Sequence, residues 1–241
     1  MNKNLLFAIF ISLFLFTGNQ LQAKKEIRGI YYGIELPYSY HFGFYAKQSS
    51  RLAIMGNAKI FAPPFNTVYT SVMQMWGANE KVMKVLREPF RFGYGFEGRA
   101  HYYFGTDNRR YYFGINIQMI LLPKVKISDN IINQAYNVDL NSHDFPEDPV
   151  AKLRSTEPLT LKSTYANIGI FAGKRFFYME PGFELFLEAG VNKTVFSNHR
   201  LASDYRYITP VHELNNNTLK EMMLKYGWAP GINISLIKKI K

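Results

Sequence analysis

The sequence predicts an all-β fold, an antiparallel up-and-down transmembrane β-barrel of eight strands, with ten as the alternative, and with long loops at one end. Three observations predict it. Segments alternating apolar and polar residues with period two recur along the chain. These segments run about 10–15 residues, against roughly 5–6 for strands of globular proteins and about 9–11 for tilted membrane strands. The connections between them alternate between short and long, as in barrels with short turns on one side of a bilayer and long loops on the other.

Seven segments are visible. The clearest, 90–104, sets Phe90, Phe92, Tyr94, Phe96, Gly98, Ala100, Tyr102 and Phe104 against Arg91, Gly93, Gly95, Glu97, Arg99, His101 and Tyr103. In 111–121, Tyr111, Phe113, Ile115, Ile117, Met119 and Leu121 oppose Tyr112, Gly114, Asn116, Gln118 and Ile120. Segments 165–176 and 182–192 repeat the pattern, with Ile168 and Ile170 against Asn167 and Phe171, and Leu185 and Leu187 against Glu184 and Glu188. Segment 226–236 places Trp228, Ile232 and Ile234 opposite Gly231, Asn233 and Ser235. Near the start, Tyr32, Ile34, Tyr40, Phe42 and Phe44 oppose Gly33, Glu35, Ser39 and His41, whereas 52–61 is weaker, with Leu52, Ile54 and Ile60 against Arg51, Asn57 and Lys59. An eighth strand arises if 26–44 breaks at Pro37, or hides within 125–140. The stretch 79–87 reads as a helix, with Val82, Val85 and Leu86 on one side.

Short turns fall at 47–50, 105–109 and 177–181, and long loops at 62–88, 123–163 and 196–224. Of the 11 prolines, Pro63, Pro64, Pro123, Pro146, Pro149, Pro158 and Pro210 fall in the long loops, where no ladder donor is required. Pro37 and Pro230 lie inside strand segments near the two closing strands, so an irregular seam is expected there.

The ends and the composition agree with export. Lys3 precedes an apolar run over 5–16, then Thr17-Gly18-Asn19-Gln20 and Leu21-Gln22-Ala23, which together read as a signal peptide cleaved after Ala23. The alternative, a retained anchor helix, needs roughly 20 apolar residues. Residues 24–241 then form one barrel domain, and loss of Lys3 leaves a net charge of +10 from the +11 of the whole chain. With no cysteine there is neither a disulfide framework nor a site for a lipid anchor. Aromatics make up 16% of the chain, 20 Phe and 17 Tyr, yet mean hydropathy is −0.16. After residue 16 no apolar run is long enough for a membrane helix, which excludes a helical membrane protein.

The aromatic-glycine hairpin Phe92-Gly-Tyr-Gly-Phe-Glu-Gly-Arg-Ala-His-Tyr-Tyr-Phe104, its return Arg110-Tyr-Tyr-Phe-Gly-Ile-Asn116, and a second hairpin pairing 167–174 with 183–190 carry a resemblance. The chain resembles the small single-domain outer-membrane β-barrel superfamily over nearly its whole mature length. The resemblance implies a bacterial outer-membrane location and, as partners, outer-membrane lipids, lipopolysaccharide and the barrel-assembly machinery. The chain departs from the family pattern at its end, Leu236-Ile-Lys-Lys-Ile-Lys241, where many members carry a terminal aromatic.

Glu35, Arg91, Glu97, Arg99, His101, Glu184 and Glu188 fall on the polar face and are expected to form a lumenal charge cluster. An eight-stranded interior is just wide enough for side chains to fill, so mutual ion pairing is the expectation; an ion path, or a bound ligand or metal, is the alternative. Since the architecture also hosts lipid-modifying enzymes, Ser197, His199 and Asp204 are the candidates for catalysis, a hydroxyl and an imidazole two residues apart on one strand face. His143 with Asp139, Asp144, Glu147 and Asp148 forms an acidic loop without the central glycine of a calcium loop, so no metal and no cofactor is expected. A pI near 9.6 would suit nucleic acid, but export removes the chain from it. Arg109, Arg110, Lys174 and Arg175 are expected instead to meet anionic headgroups. Three function classes stay open: a structural or surface-interaction protein acting through its long loops, a narrow pore, and a lipid A-modifying enzyme. A soluble periplasmic lipocalin-like binder is the rival at the level of the fold.

Overall fold

The computed structural model describes residues 27–63, 66–104, 111–154, 159–177 and 182–240; the segment read as a signal peptide, together with Arg109 and Arg110, lies outside the described residues. The strands are β1 (Ile27–Leu36), β2 (Ser39–Lys47), β3 (Leu52–Phe61), β4 (Gly93–Phe104), β5 (Tyr111–Lys126), β6 (Thr160–Phe177), β7 (Phe183–Ala202) and β8 (Trp228–Ile240). Each pairs antiparallel with its successor and β1 closes on β8, giving an eight-stranded up-and-down closed barrel. The described helices are α1 (Asn66–Met75), α2 (Glu80–Arg87), α3 (Asp129–Tyr136), α4 (Pro149–Arg154) and α5 (Thr209–Tyr226), all in connections at one end. Among the described residues no helix is long and apolar enough to cross a membrane.

Pro37 supplies the eighth strand. The segment turns at Pro37 and Tyr38, with Glu35 opposite Ser39 and the Tyr38 N–H donating to the Glu35 carbonyl at 2.6 Å. A residue without an N–H is tolerated where the ladder ends. The stretch 125–140 holds instead the end of β5 and α3. Pro230 pairs with Val191 of β7 but lies past Ile232, the last β8 residue opposite β1, so the β1 ladder does not extend to it.

Following paired residues around the wall from Trp228 leads through Lys193, Ile168, Ile117, Gly98, Gly56, Phe44 and Ile30 back to β8 at Lys238, ten residues further on. At a rise of about 3.3 Å per residue and a strand spacing of about 4.8 Å, that stagger tilts the strands by about 40° from the barrel axis. The outward residues of β4 from Tyr94 to Phe104 then cover about 25 Å along the axis, the height of the apolar band of a membrane barrel.

The polarity is inverted relative to a water-soluble barrel. On β2, Tyr40, Phe42 and Phe44 point outward, Phe44 with 71% of its surface exposed, while Ser39, His41 and Tyr45 are buried. The same holds around the wall: Phe96, Phe113, Ile115, Ile170 and Ile232 are half exposed or more, while Glu97, Asn116, Glu188 and Asn233 face inward and are buried. Tyr102, Phe104, Tyr111 and Phe113 cluster at the short-turn end, with ring centroids 5.3–6.3 Å apart.

At the long-loop end three strands outrun the sequence reading. β5 continues to Lys126 through a register break between Leu122 and Val125 that accommodates Pro123, β6 begins at Thr160, and β7 reaches Ala202. In β7 the register slips at Val195, since Asn167 pairs with Thr194 and Ala166 with Phe196. Val195 points outward, and beyond it Ser197, His199 and Leu201 face in. These tall strands carry a helical cap. Helix α2 matches the helix read at 79–87: the Asn79 side chain accepts from the N–H groups of Lys81 and Val82, and Val82, Met83, Val85 and Leu86 are buried. Helix α5 begins with Pro210 in its first turn, where a missing N–H is harmless, and buries Val211, Leu219, Met222 and Met223 along one side. It covers β7 beyond Lys193, where β8 no longer pairs; Asn216 and His212 accept the N–H groups of His199 and Leu201 at 2.8 and 3.2 Å. An unpaired strand edge is thereby satisfied.

The wall glycines make room for what lies inside. A Cβ on Gly169 would sit 2.1 Å from Asn192 Oδ1 and 2.2 Å from Asn116 Oδ1. Gly169→Ala is therefore expected to destabilise the folded barrel by about 1–3 kcal/mol, the usual cost of overpacking. Urea unfolding in lipid checks it, and an unchanged midpoint would contradict this packing.

Candidate functional site in the barrel lumen

From the short turns to the cap, the inward residues form layers. At the short-turn end Glu184 forms ion pairs with Lys239 at 2.6 Å and with Arg175 at 3.7 Å. Next comes an aromatic layer of Tyr31, Tyr45, Tyr103, Tyr112, Phe171 and Phe186, all buried. Tyr45 and Tyr103 join hydroxyls at 3.2 Å, and the Arg175 guanidinium sits 5.3 Å from the Tyr103 ring.

Above it lies the charged belt. Lys59 pairs with Glu35 and, at 3.1 Å, with Glu97; Arg99 pairs with Glu97 at 3.4 Å and with Glu188 at 2.5 Å. The remaining carboxylate lone pairs are also used. Asn57 and Asn116 donate to Glu97 at 2.8 and 2.5 Å, Tyr112 and Asn233 donate to Glu188 at 2.9 and 2.6 Å, and Asn192 donates to Glu35 at 3.3 Å. His101 stacks on Tyr112 and stands 3.6 Å from Glu188. The Arg99 guanidinium also lies 4.4 Å from the Phe171 ring. Charges removed from water persist only when paired and hydrogen-bonded, and here every carboxylate meets at least two donors.

The top layer is largely apolar. Tyr38, Phe61, Tyr69, Phe90, Ile120 and Tyr165 from the barrel mouth pack with Met73, Val85, Leu86, Leu219 and Met223 of the cap. Burial pushes the Tyr69 hydroxyl up to about 12, although Thr194 lies 3.3 Å from it. The cap is cross-tied by Arg206, which pairs with Asp129 at 2.9 Å and with Glu147, joining the β5–β6 and β7–β8 connections. Two interior spaces, of about 20 and 10 Å³, flank Glu35. Each has room for about one water.

Glu35, Glu97, Arg99, His101 and Glu188 thus lie together in the belt, and Glu184 faces the same lumen one layer below. Arg91 does not join them. It ends the 3-10 turn Pro89–Arg91, is exposed, and pairs with Glu88 at 3.0 Å, because β4 starts only at Gly93 and Phe90 turns into the cap core. Lys59, which holds two of the three belt carboxylates, was absent from the expected cluster although its alternation phase already placed it on the polar face. Of the expected headgroup contacts, Arg175 is a correction: it is 5% exposed and points inward, since its neighbour Lys174 holds the outward phase. Lys174 lies beside Tyr111 and Phe176 on the outer rim.

The candidate catalytic residues resolve differently. Ser197 and His199 share the inward face of β7, and the imidazole is held between Ser197 at 3.0 Å and Ser163 at 2.9 Å. Both ring nitrogens are taken by hydroxyls, all three side chains are buried, and Asp204 is exposed in the bend beyond the strand. A nucleophile needs a base oriented by a third group and a path for substrate; this arrangement ties β6 to β7 beneath α5. In the acidic loop Asp148 caps α4 through the N–H groups of Val150 and Ala151, Glu147 binds Arg206 and Lys152, and His143 lines an open hollow with Phe145 and Pro146. Among the described residues no group of three His, Asp or Glu could hold a metal.

A closed eight-stranded wall, an apolar outer band and a filled polar interior define the class, an outer-membrane-type β-barrel. No protein-family model matches the chain, and no curated protein matches it. It is similar to the solved structures of CarO2 of Acinetobacter baumannii, at 9% identity and TM-score 0.34 over 90% of this chain and 100% of that one, and of Neisserial surface protein A, at 9% and 0.35 over 89% and 96%. CarO of A. baumannii matches at 10% identity and TM-score 0.35, over 88% and 97%. The class rests on the barrel's own topology and polarity.

The belt makes a sharp stability prediction. Lys59→Met leaves Glu35 and Glu97 short of a cation and is expected to cost about 3–5 kcal/mol. Adding Glu35→Gln, which removes the stranded charge, should restore part of that loss in urea unfolding. Equal stability of Lys59→Met and the wild type would show that the pairing does not hold the lumen together.

Proposed function

We propose that this chain sits in a bacterial outer membrane as a sealed barrel, exported by a cleaved signal peptide, with a structural or surface-interaction role carried by its helical cap. One observation carries the reading: among the described residues the lumen is occupied by aromatic rings, then by an ion-pair belt whose carboxylates each meet at least two donors, then by a largely apolar cap. A conducting pore needs a continuous wet path, and a binding barrel needs a vacant interior; neither agrees with spaces of about 20 and 10 Å³. The cap lies on the long-loop side, the external side in barrels of this class, where a surface partner would meet it. Insertion by the barrel-assembly machinery belongs to the same reading.

Purified protein folded into lipid is expected to show heat-modifiable gel migration, remaining fast until boiled. In planar bilayers the same material should give no channel events. Stable unitary conductance would overturn the sealed-barrel reading, and solubility of the processed chain without detergent would overturn the membrane reading itself. For the enzyme alternative, Ser197→Ala should leave the lipid A acylation pattern of the producing cells unchanged by mass spectrometry. A changed pattern would restore that alternative.

A further inference from the structure

Positive charge is distributed unevenly along the barrel axis. At the short-turn end lie Arg28, Lys47, Arg51, Lys174, Lys238 and Lys239, whereas the carboxylate among the described residues of this rim, Glu184, is inside and held by Lys239 and Arg175. The cap at the other end is mixed, with Asp129, Asp139, Asp144, Glu147 and Asp148 offsetting its lysines and arginines.

Three of the rim cations are placed against the aromatic edge of the outward apolar band. Arg51 Nη1 donates to the Tyr102 hydroxyl at 3.3 Å, Lys174 Nζ lies 5.2 Å from the Tyr111 ring and 5.0 Å from Phe176, and Lys238 Nζ lies 5.7 Å from Phe183. They belong to β6, β8 and the β2–β3 turn, so they are spread around the circumference. Each charge sits at the level of the interfacial rings, where a long cationic side chain beside an apolar wall reaches headgroups.

We infer that this rim is a docking surface for anionic phospholipid, its cations meeting the phosphates of the leaflet at the short-turn side. The inference rests on the membrane reading above and adds the lipid class to it. Charge complementarity selects an anionic headgroup over a zwitterionic one, and continuity of the rim with the apolar band places that headgroup within reach.

The test uses the full mature chain folded into vesicles of phosphatidylcholine carrying trace spin-labelled lipid. The fraction of label immobilised on the protein is compared for phosphatidylglycerol and phosphatidylcholine. Several-fold preference for phosphatidylglycerol is expected, falling with added salt as screening shortens the field. In R51Q/K174Q/K238Q, checked for heat-modifiable folding, the preference should disappear. The cap variant K81Q/K84Q/K220Q should keep it. An immobilised lipid shell with no headgroup preference, or a preference that survives the rim variant, overturns the inference while leaving the membrane reading standing. Absence of any immobilised shell removes the membrane reading and the inference with it. Binding of polyglutamate to the detergent-solubilised chain through the same cations, without lipid preference, would reassign the rim to an acidic macromolecule and also overturn it.

Discussion

Everything in this molecule depends on pairing the charges that the barrel wall turns inward. A wall that presents Phe, Tyr and Ile outward must, by the pleat of a strand, present its alternate residues to a narrow enclosure. Glu35, Glu97 and Glu188 come from β1, β4 and β7, and Lys59 and Arg99 reach between them. Asparagines of β3, β5, β7 and β8 complete the carboxylates, so the belt draws on most of the circumference. Closure of the sheet and neutrality of its interior are one requirement.

The wall was largely legible in the sequence because period-two alternation records both faces at once. Phe96 against Glu97, Ile115 against Asn116 and Leu187 against Glu188 set the phase of β4, β5 and β7, and that phase placed Glu97, Arg99, His101 and Glu188 inside. The same rule misplaced Arg91, since alternation continued through Phe90 and Arg91 although the backbone at Pro89–Arg91 forms a 3-10 turn. It also could not see that Arg175, grouped with Lys174 by sequence adjacency, points the opposite way. The upper part of β7 was hidden by the slip at Val195, which breaks the period that identifies a strand. Helix α5 was hidden by Pro210 and three successive asparagines, Asn215, Asn216 and Asn217, which read locally as loop. Its helical spacing of Val211, Leu219, Met222 and Met223 was the signal available.

The cap and the barrel are joined by polar groups as well as by apolar packing. Asn216 and His212 of α5 take over β7's unpaired N–H groups, Asn215 accepts from the Tyr136 hydroxyl of α3 at 2.8 Å, and Arg206 spans two connections. The asparagines that obscure the helix in sequence are thus the residues that attach it.

The register slip at Val195 has a consequence for how such a strand can vary. Below that position β7 must show grease to lipid and charge to the lumen; above it, the same strand turns Ser197, His199 and Leu201 toward the interior beneath α5. A single additional residue resets the parity between these two regimes, so each half answers to its own surroundings. Deleting Val195 would leave Thr194 inward, Phe196 outward and Ser197 inward in unbroken alternation, so Ser197, His199 and Leu201 would keep their inward phase, as would Glu188 and Asn192 below. The joint thus absorbs a one-residue difference in length without turning the upper storey inside out, and the foundation below it is untouched.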